Sequence, residues 1–331
     1  MKALVTGGGG FLGGVIVRML HERGDQVRSF SRGEHPALET LGVEQFRGDL
    51  GDRSAVMEAV KGCDIVFHVA AKAGIWGSYG DFYQANVTGT ENVLEACRTH
   101  GIAKLVYTSS PSVVFDGNDV EGGDESLPYP PRYEANYPKT KALAEQMVLA
   151  AASPLLATVA LRPHLIWGPG DNHLVPRIIA KGRAGKLRQI GSRPCLVDSV
   201  YVDNAARAHL MAADRLIPDT GISGNAYFIS NGQPLPLWEM VNRILAAADI
   251  PPVTARISPK LASAIGCICE GVWGLLRLPG EPPMTRFVAH ELSSAHWFTI
   301  EAARRDFGYQ PEISIDEGLE HLRNWFLTGK S

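Results

Sequence analysis

Cysteine is scarce in this chain: there are five in 331 residues, an odd number, and the only close pair is Cys267-x-Cys269. A disulfide framework needs paired cysteines and a zinc site needs closely spaced Cys/His pairs, so neither is expected. No other grouping of His, Cys, Asp or Glu has metal-ligand spacing, and no metal is expected. The thiols read as reduced, which suggests a cytoplasmic protein. An excess of one charge is also missing. A net charge of −3 with 20% charged residues leaves no basic field for nucleic acid. Long apolar runs are absent as well: the longest, residues 261–278, is broken by Glu270 and Arg277, so no transmembrane segment is expected. Met1-Lys2 runs straight into an apolar strand, leaving no room for a signal peptide. There is no internal repeat and no low-complexity segment.

What is present is alternation. Apolar, β-branched runs at residues 3–6, 26–30, 64–68, 104–108 and 157–161 read as buried parallel strands. Helical patterns lie between them at 11–23, 54–60, 81–99 and 135–151. Strands alternating with helices imply crossover units, and so an α/β fold: a Rossmann-type doubly wound parallel sheet. After Pro163 the pattern loosens. A helix at 202–216 and a strand at 226–229 are expected to return to the main sheet, while 235–248, 259–278, 283–289 and 315–327 read as helices of a smaller lobe. The expected division is a dinucleotide-binding domain at 1–163, joined by about 200–230, and a helix-rich substrate lobe at 164–199 and 231–331.

The first strand ends in Thr6-Gly7-Gly8-Gly9-Gly10-Phe11-Leu12-Gly13, where Gly7, Gly10 and Gly13 form G-x-x-G-x-x-G. Such a turn lets a pyrophosphate approach the backbone, and the following helix offers free N–H groups and the positive end of its dipole. At the end of the second strand an acid would select NAD by accepting from the ribose 2′-hydroxyl. Here Ser31 stands at that place, followed by Arg32. A guanidinium pairs well with a 2′-phosphate, so NADP (NADPH) is expected; the competing reading of Arg32 is a solvated surface arginine. Asp49-Leu50 is placed to meet the adenine edge, with helix capping as the alternative for Asp49. Ala70 and Ala71, small residues after the fourth strand, leave room for the cofactor or simply pack.

Tyr137 and Lys141 are four apart in a helical segment and share one face. Reduction of a ketone by hydride leaves an alkoxide that a phenol can protonate, and a nearby ammonium would lower the phenol's ordinary pKa of about 10. The strand 104–108 runs into Ser109-Ser110-Pro111-Ser112, where a hydroxyl could polarise the carbonyl.

These pieces, with Gly48-Asp49-Leu50, His68-Val69-Ala70-Ala71, Asn86-Val87-Thr88-Gly89-Thr90, Tyr107-Thr108-Ser109-Ser110 and Leu161-Arg162-Pro163, resemble the extended short-chain dehydrogenases/reductases over the whole length. The resemblance implies Ser110 as the catalytic hydroxyl beside Tyr137 and Lys141, a structural or water-relay role for Asn86, and nicotinamide contacts after Pro163. It adds Phe11, Leu12 and Lys72 to the cofactor residues and implies a homodimer through helices 81–99 and 135–151. Within the family the chain is similar to the 3β-hydroxysteroid dehydrogenase-like branch. It further resembles the bacterial reductases that reduce the ketone of 2-alkyl-3-oxo acids with NADPH in long-chain olefin biosynthesis; Ala71 to Tyr79, Ile166 to Asp171 and Gly280 to Phe287 carry that likeness. It implies a long-chain small-molecule substrate and association with other enzymes of that pathway. Lys72, His164, His173 and Arg177 are candidates for the substrate carboxylate. Ile75, Trp76, Tyr79 and Phe82 could line a chain entrance or simply pack. The apolar stretch 259–278 could be a core helix, a lid or a docking face. Competing readings are a steroid or sterol-4α-carboxylate 3-dehydrogenase, a nucleotide-sugar epimerase or dehydratase, and an NADP-binding redox sensor without catalysis.

Overall fold

Seven short segments, all but the edge strand Glu44–Arg47 largely buried at their centres, pair into one parallel sheet: β1 (Lys2–Thr6), β2 (Gln26–Ser31), β3 (Glu44–Arg47), β4 (Ile65–His68), β5 (Lys104–Thr108), β6 (Ala157–Pro163) and β7 (Asn225–Ile229). Their order is β7-β6-β5-β4-β1-β2-β3, so the chain reverses direction across the sheet between β1 and β4. The structure, a computed structural model, describes residues 1–218 and 221–329; positions 219–220 of the expected returning segment and 330–331 of the expected lobe lie outside the described residues.

The period of two along each strand divides the interior into two cores. Ala3, Val5, Ile65, Phe67, Val106, Val159 and Leu161 pack with helices α1 (Phe11–Glu22) and, later in the chain, Val202–Arg215. The intervening residues Leu4, Val66, Leu105, Tyr107 and Ala160 pack with α2 (Gly89–His100) and α3 (Asn136–Ala150). The helix Val202–Arg215 is α4. Helix α2 continues a single run from Tyr79 that includes a π-helical turn at Gln84–Thr88. Such turns recur at functional sites, and this one carries Asn86.

Beyond Pro163 the structure departs from the expected pattern in instructive ways. Residues 174–183 form a helix that the pattern does not mark, seated by Asp171, whose carboxylate accepts from the N–H groups of His173, Leu174 and Val175. The helix expected at 235–248 begins at Leu237, because Leu235–Pro236 pairs with Leu196–Val197. That pair joins His296–Phe298 and Val120–Gly123 in a small four-stranded sheet. The helix expected at 283–289 runs instead over Arg286–Glu291, started by the Thr285 hydroxyl accepting from the Val288 N–H. Helix α5 (Pro259–Leu276) matches its expected position, yet its only fully buried residues are Ala262 and Gly266, so the core-helix reading fails.

Candidate active site

The carboxyl ends of β1, β4, β5 and β6 open onto a cleft of about 880 Å3. Gly7, Gly10, Phe11, Leu12 and Gly13 line it from the first turn, Ser31 and Arg32 from the end of β2, and Asp49 and Leu50 from beyond β3. Ala70, Ala71 and Lys72 line it after β4, Pro163 at the end of β6, and Ser110, Tyr137 and Lys141 at the far end. The structure thus brings every residue expected at the cofactor and at the reaction centre to one cavity.

The first turn fits a dinucleotide. Gly7 sits at φ +70°, and a Cβ there would stand 3.0 Å from the Ala70 Cα; a Cβ on Gly13 would stand 2.1 Å from the Gly7 carbonyl oxygen. Side chains at these positions would fill or deform the cradle. Helix α1 starts at Gly10 with no side-chain cap and no acid in its first turn. Its first N–H groups and its positive dipole end are therefore left for an anion. His35 also faces the turn, since a Cβ on Gly9 would overlap its ring.

At the other end of the turn, the Ser31 hydroxyl donates to the Gly33 carbonyl at 2.8 Å. Arg32 is exposed and has no ion-pair partner among the described residues. Arg47 lies beside it: the Ser31–Arg47 register of β2 and β3 brings it there, and its Nε donates to the Arg32 carbonyl at 3.2 Å. Asp49 is not a helix cap. Its carboxylate accepts from the Gly51 N–H at 2.8 Å, and the cap of the next helix is Asp52.

At the reacting end, Lys141 is 1% exposed and donates from Nζ to the Thr108 carbonyl at 2.6 Å. Burial pushes its pKa down to about 7, against the raising pull of the Glu145 carboxylate. The partly buried Tyr137 phenol is raised by burial; the Ser110 hydroxyl pulls it down as a hydrogen-bond partner and the Glu291 carboxyl pushes it up. In the chain alone the phenol is thus raised rather than lowered, because burial disfavours phenolate and ammonium alike. The Ser110 hydroxyl also meets the Ser112 hydroxyl at 2.9 Å. Ser109, beside it, is buried, and its hydroxyl has no hydrogen-bond partner among the described residues. Glu291 gave no signal in the sequence; burial raises it to about 7, while His164 lowers it.

Polar contacts fix these groups. Asn86 accepts from the Lys72 N–H at 2.7 Å and donates to the Lys72 carbonyl and to the Thr140 hydroxyl, both at 3.1 Å. Thr140 in turn donates to the Tyr137 carbonyl. Asn86 therefore ties the loop after β4 to the helix that carries Tyr137 and Lys141. Under the same loop, Thr6 accepts from the Val69 and Ala70 N–H groups and donates to His68, which burial holds neutral with a pKa of about 3.

The substrate candidates separate. His164 has both ring nitrogens engaged, Nδ1 with Asp198 at 2.5 Å and Nε2 with His296 at 3.2 Å, so neither is free for a ligand. Arg177 pairs with Glu281 at 2.7 Å, and Lys72 pairs with Asp81 at 3.2 Å. Of the four, Lys72 and His173 line the cleft. Phe82 is 1% exposed and packs under Gly77, so it is core rather than entrance; Ile75, Trp76 and Tyr79 lie outside the residues that line the cleft. Leu165, which does line it, holds φ +43°, a strained backbone value for a leucine.

A glycine cradle at a helix N-terminus, with Ser110 just beyond a neighbouring strand and Tyr137 and Lys141 on the helix beside it, defines an extended short-chain dehydrogenase/reductase. Residues 4–257 match the model of the 3-beta hydroxysteroid dehydrogenase/isomerase family. The chain is 56% identical to the 2-alkyl-3-oxoalkanoate reductase of Stenotrophomonas maltophilia (strain K279a), covering 98% of each. It is 36% identical to the mouse (Mus musculus) decarboxylating sterol-4-alpha-carboxylate 3-dehydrogenase, covering 96% of this chain and 89% of that one. Among solved structures it is similar to the UDP-glucose 4-epimerase of Thermus thermophilus in complex with NAD, with a TM-score of 0.73, 26% identity and 99% of both chains covered. The chain belongs to the 3-beta hydroxysteroid dehydrogenase/isomerase family and is an NAD(P)-dependent oxidoreductase.

Proposed function

We propose that the protein reduces the 3-keto group of a 2-alkyl-3-oxoalkanoic acid to the 2-alkyl-3-hydroxy acid with NADPH, as a step of long-chain olefin biosynthesis. The 56% identity to a reductase of that name, over nearly the full length of both chains, carries the reading. The bound nicotinamide cofactor supplies the hydride. Ser110 donates to the ketone oxygen and holds it as negative charge develops. Tyr137 gives its phenolic proton to the resulting alkoxide. Lys141, with a pKa brought near neutrality, is able to carry or release a proton behind it and to hold the cofactor ribose. Arg32, unpaired at the end of β2, takes the 2′-phosphate, with Arg47 beside it. Lys72 and His173 are left as the cleft groups for the substrate carboxylate.

The same reading divides the chain into a cofactor domain, 1–163 with 200–230, and a substrate lobe. It also includes a cytoplasmic homodimer that pairs through α2 and α3, where Leu143 is exposed, and that works beside the other olefin-pathway enzymes. A second substrate class, the sterol 4-carboxylates, is favoured by the 36% identity to the mouse enzyme and needs no change at Tyr137, Lys141 or Ser110. The deciding experiment is a reduction assay with 2-alkyl-3-oxo acids of graded length, run with NADPH and with NADH. The proposal expects turnover that depends on chain length and prefers NADPH. Turnover of a 3-oxosterol 4-carboxylate, with none of the oxo acids, would replace it.

A further inference from the structure

The helix Arg286–Glu291 is seated against the segments that carry the reaction centre. His290 Nδ1 meets the Glu134 carboxylate at 3.0 Å, just ahead of the helix that bears Tyr137. Phe115, on the segment that follows Ser110, packs edge-on against Phe287 and His296, with ring centroids 6.1 and 6.3 Å apart. His296 in turn bridges the end of the helix to the end of β6: its Nε2 lies 2.9 Å from the Glu291 main-chain carbonyl, and its Nδ1 lies 3.2 Å from His164.

These contacts fix charge as well as position. A carbonyl only accepts, so His296 Nε2 carries a proton. Burial holds His296 neutral, with a pKa of about 4, so its Nδ1 is bare and accepts. His164 therefore donates from Nε2. Its Nδ1 meets Asp198, whose other oxygen accepts from the Phe298 N–H at 3.1 Å. All of these contacts are satisfied together when both nitrogens of His164 carry protons, giving a buried imidazolium on the Asp198 carboxylate.

Glu291 lies within electrostatic reach of His164, of Glu134 and of the Tyr137 phenol. It is partly buried, and its carboxyl has no hydrogen-bond or ion-pair partner among the described residues. Burial favours its acid form, His164 opposes it and Glu134 adds to burial, which leaves a pKa of about 7. A neutral carboxyl has a proton to donate, and the chain offers it no acceptor. The substrate does. Both substrate classes favoured above carry a carboxylate on the carbon next to the ketone, so a ketone oxygen held by Ser110 and Tyr137 brings that carboxylate alongside the phenol. Lys72 and Arg177 are already paired, with Asp81 and Glu281.

We propose that Glu291, as a neutral acid, donates a hydrogen bond to the substrate carboxylate, with the His164 imidazolium stabilising the shared negative charge, and so selects ketones that carry a neighbouring acid. The inference rests on the substrate reading above only for that carboxylate, which both classes share, and it adds Glu291 to Lys72 and His173. Its pH sense follows from the raised pKa: the donor is present below about pH 7, and above it an ionised Glu291 repels the carboxylate.

The test compares kcat/KM for a 2-alkyl-3-hydroxy acid and for its methyl ester, oxidised with NADP+, the direction in which the supplied acid does not lose CO2 spontaneously. The ratio of acid to ester isolates carboxylate recognition, because titration of Tyr137 and Lys141 acts on both alike. In the wild type the ratio is expected to fall about tenfold or more between pH 6 and pH 9, the scale of losing one charged hydrogen bond. Glu291→Gln keeps a donor without a titrating proton, so its ratio is expected to stay level. Glu291→Ala is expected to have a ratio about tenfold lower at pH 6. NADPH binding by each variant shows that it has folded. A level ratio in the wild type overturns the proposal, as does a ratio in Glu291→Gln that falls like the wild type's, or an equal loss on acid and ester in Glu291→Ala. A 3β-hydroxysterol 4-carboxylate and its ester are run in parallel. Oxidation of the sterol acid alone replaces the substrate reading and moves the same comparison to the sterol pair, while oxidation of neither acid overturns both.

Discussion

Lys141 is a buried amine held on the Thr108 carbonyl, with a pKa lowered from 10.5 to about 7. The unfolded chain keeps this lysine protonated up to about pH 10.4, while the folded chain releases the proton above about pH 7. Burying it therefore costs most below pH 7, and the cost disappears as pH rises toward 10.5. The cofactor-free Lys141→Met protein should gain stability relative to wild type at pH 6, by up to a few kcal/mol, and that gain should shrink steadily by about pH 10. Urea unfolding at three pH values checks this, and a gain that grows with pH would contradict it. Ser110→Ala should lower kcat by about 10²–10³-fold, the scale of losing one donor to developing charge; a loss below about twofold would remove Ser110 from the chemistry. Arg32→Ala should weaken NADPH about tenfold or more, as expected for a lost charged hydrogen bond, and leave NADH nearly unchanged. Titration of both cofactors checks this, and equal losses would return Arg32 to the role of a solvated arginine. These residues were legible because each stands in a motif with its own chemistry. His35, Arg47 and Glu291 were not, because only the folded chain brings His35 to the cleft, Arg47 beside Arg32 and Glu291 within electrostatic reach of Tyr137.

The helix that carries Tyr137 and Lys141 is tied to β6 by a buried ion pair as well as by the Thr158 hydroxyl, which donates to the Val148 carbonyl. Arg162 donates from Nη2 and Nε to Glu145 at 2.7 and 3.0 Å, and Glu145 also accepts from the Tyr129 hydroxyl at 2.6 Å. The Arg162 guanidinium lies over the rings of Phe228 and Tyr129. The arginine of Leu161-Arg162-Pro163 is thus a structural pin between strand and helix. Removing its partner would leave an uncompensated buried charge, so Glu145→Ala should cost about 3–5 kcal/mol in chemical unfolding. A cost under about 1 kcal/mol, the value of a surface pair, would show that the pin is unimportant. Elements with a long apolar period were readable at nearly their true bounds: the helix expected at 315–327 is observed over Ile315–Leu327, and the strand expected at 104–108 over Lys104–Thr108. The small sheet was not readable. Leu196–Val197, Leu235–Pro236 and His296–Phe298 are too short to show alternation, and they pair only because the surrounding chain has already folded.

At the scale of the whole molecule, the start of α4, the loop after β7 and the C-terminal segment are tied together by a polar hub. Asn231 accepts from the Tyr201 N–H and the Asn204 amide and donates to the Ile313 carbonyl; Asn204 donates to the same carbonyl and accepts from the N–H groups of Glu312 and Ile313. Asn231→Ala would orphan these buried groups at a cost of about 1–3 kcal/mol, read as a lower urea midpoint with an unchanged slope. An unchanged midpoint would show that the C-terminal segment is held by apolar packing alone. The doubly wound sheet was legible in the alternation of strand and helix, whereas the outward face of α5 was not, since an apolar run reads alike in a core and on an exposed surface. The proposed function requires one phenol, that of Tyr137, beside the cofactor's reacting carbon. The most direct measurement is turnover of a 2-alkyl-3-oxo acid with NADPH by Tyr137→Phe, alongside its NADPH affinity. A fall of about 10²–10⁴-fold in kcat, with NADPH binding retained, is the predicted result, and full turnover by that variant would contradict the account.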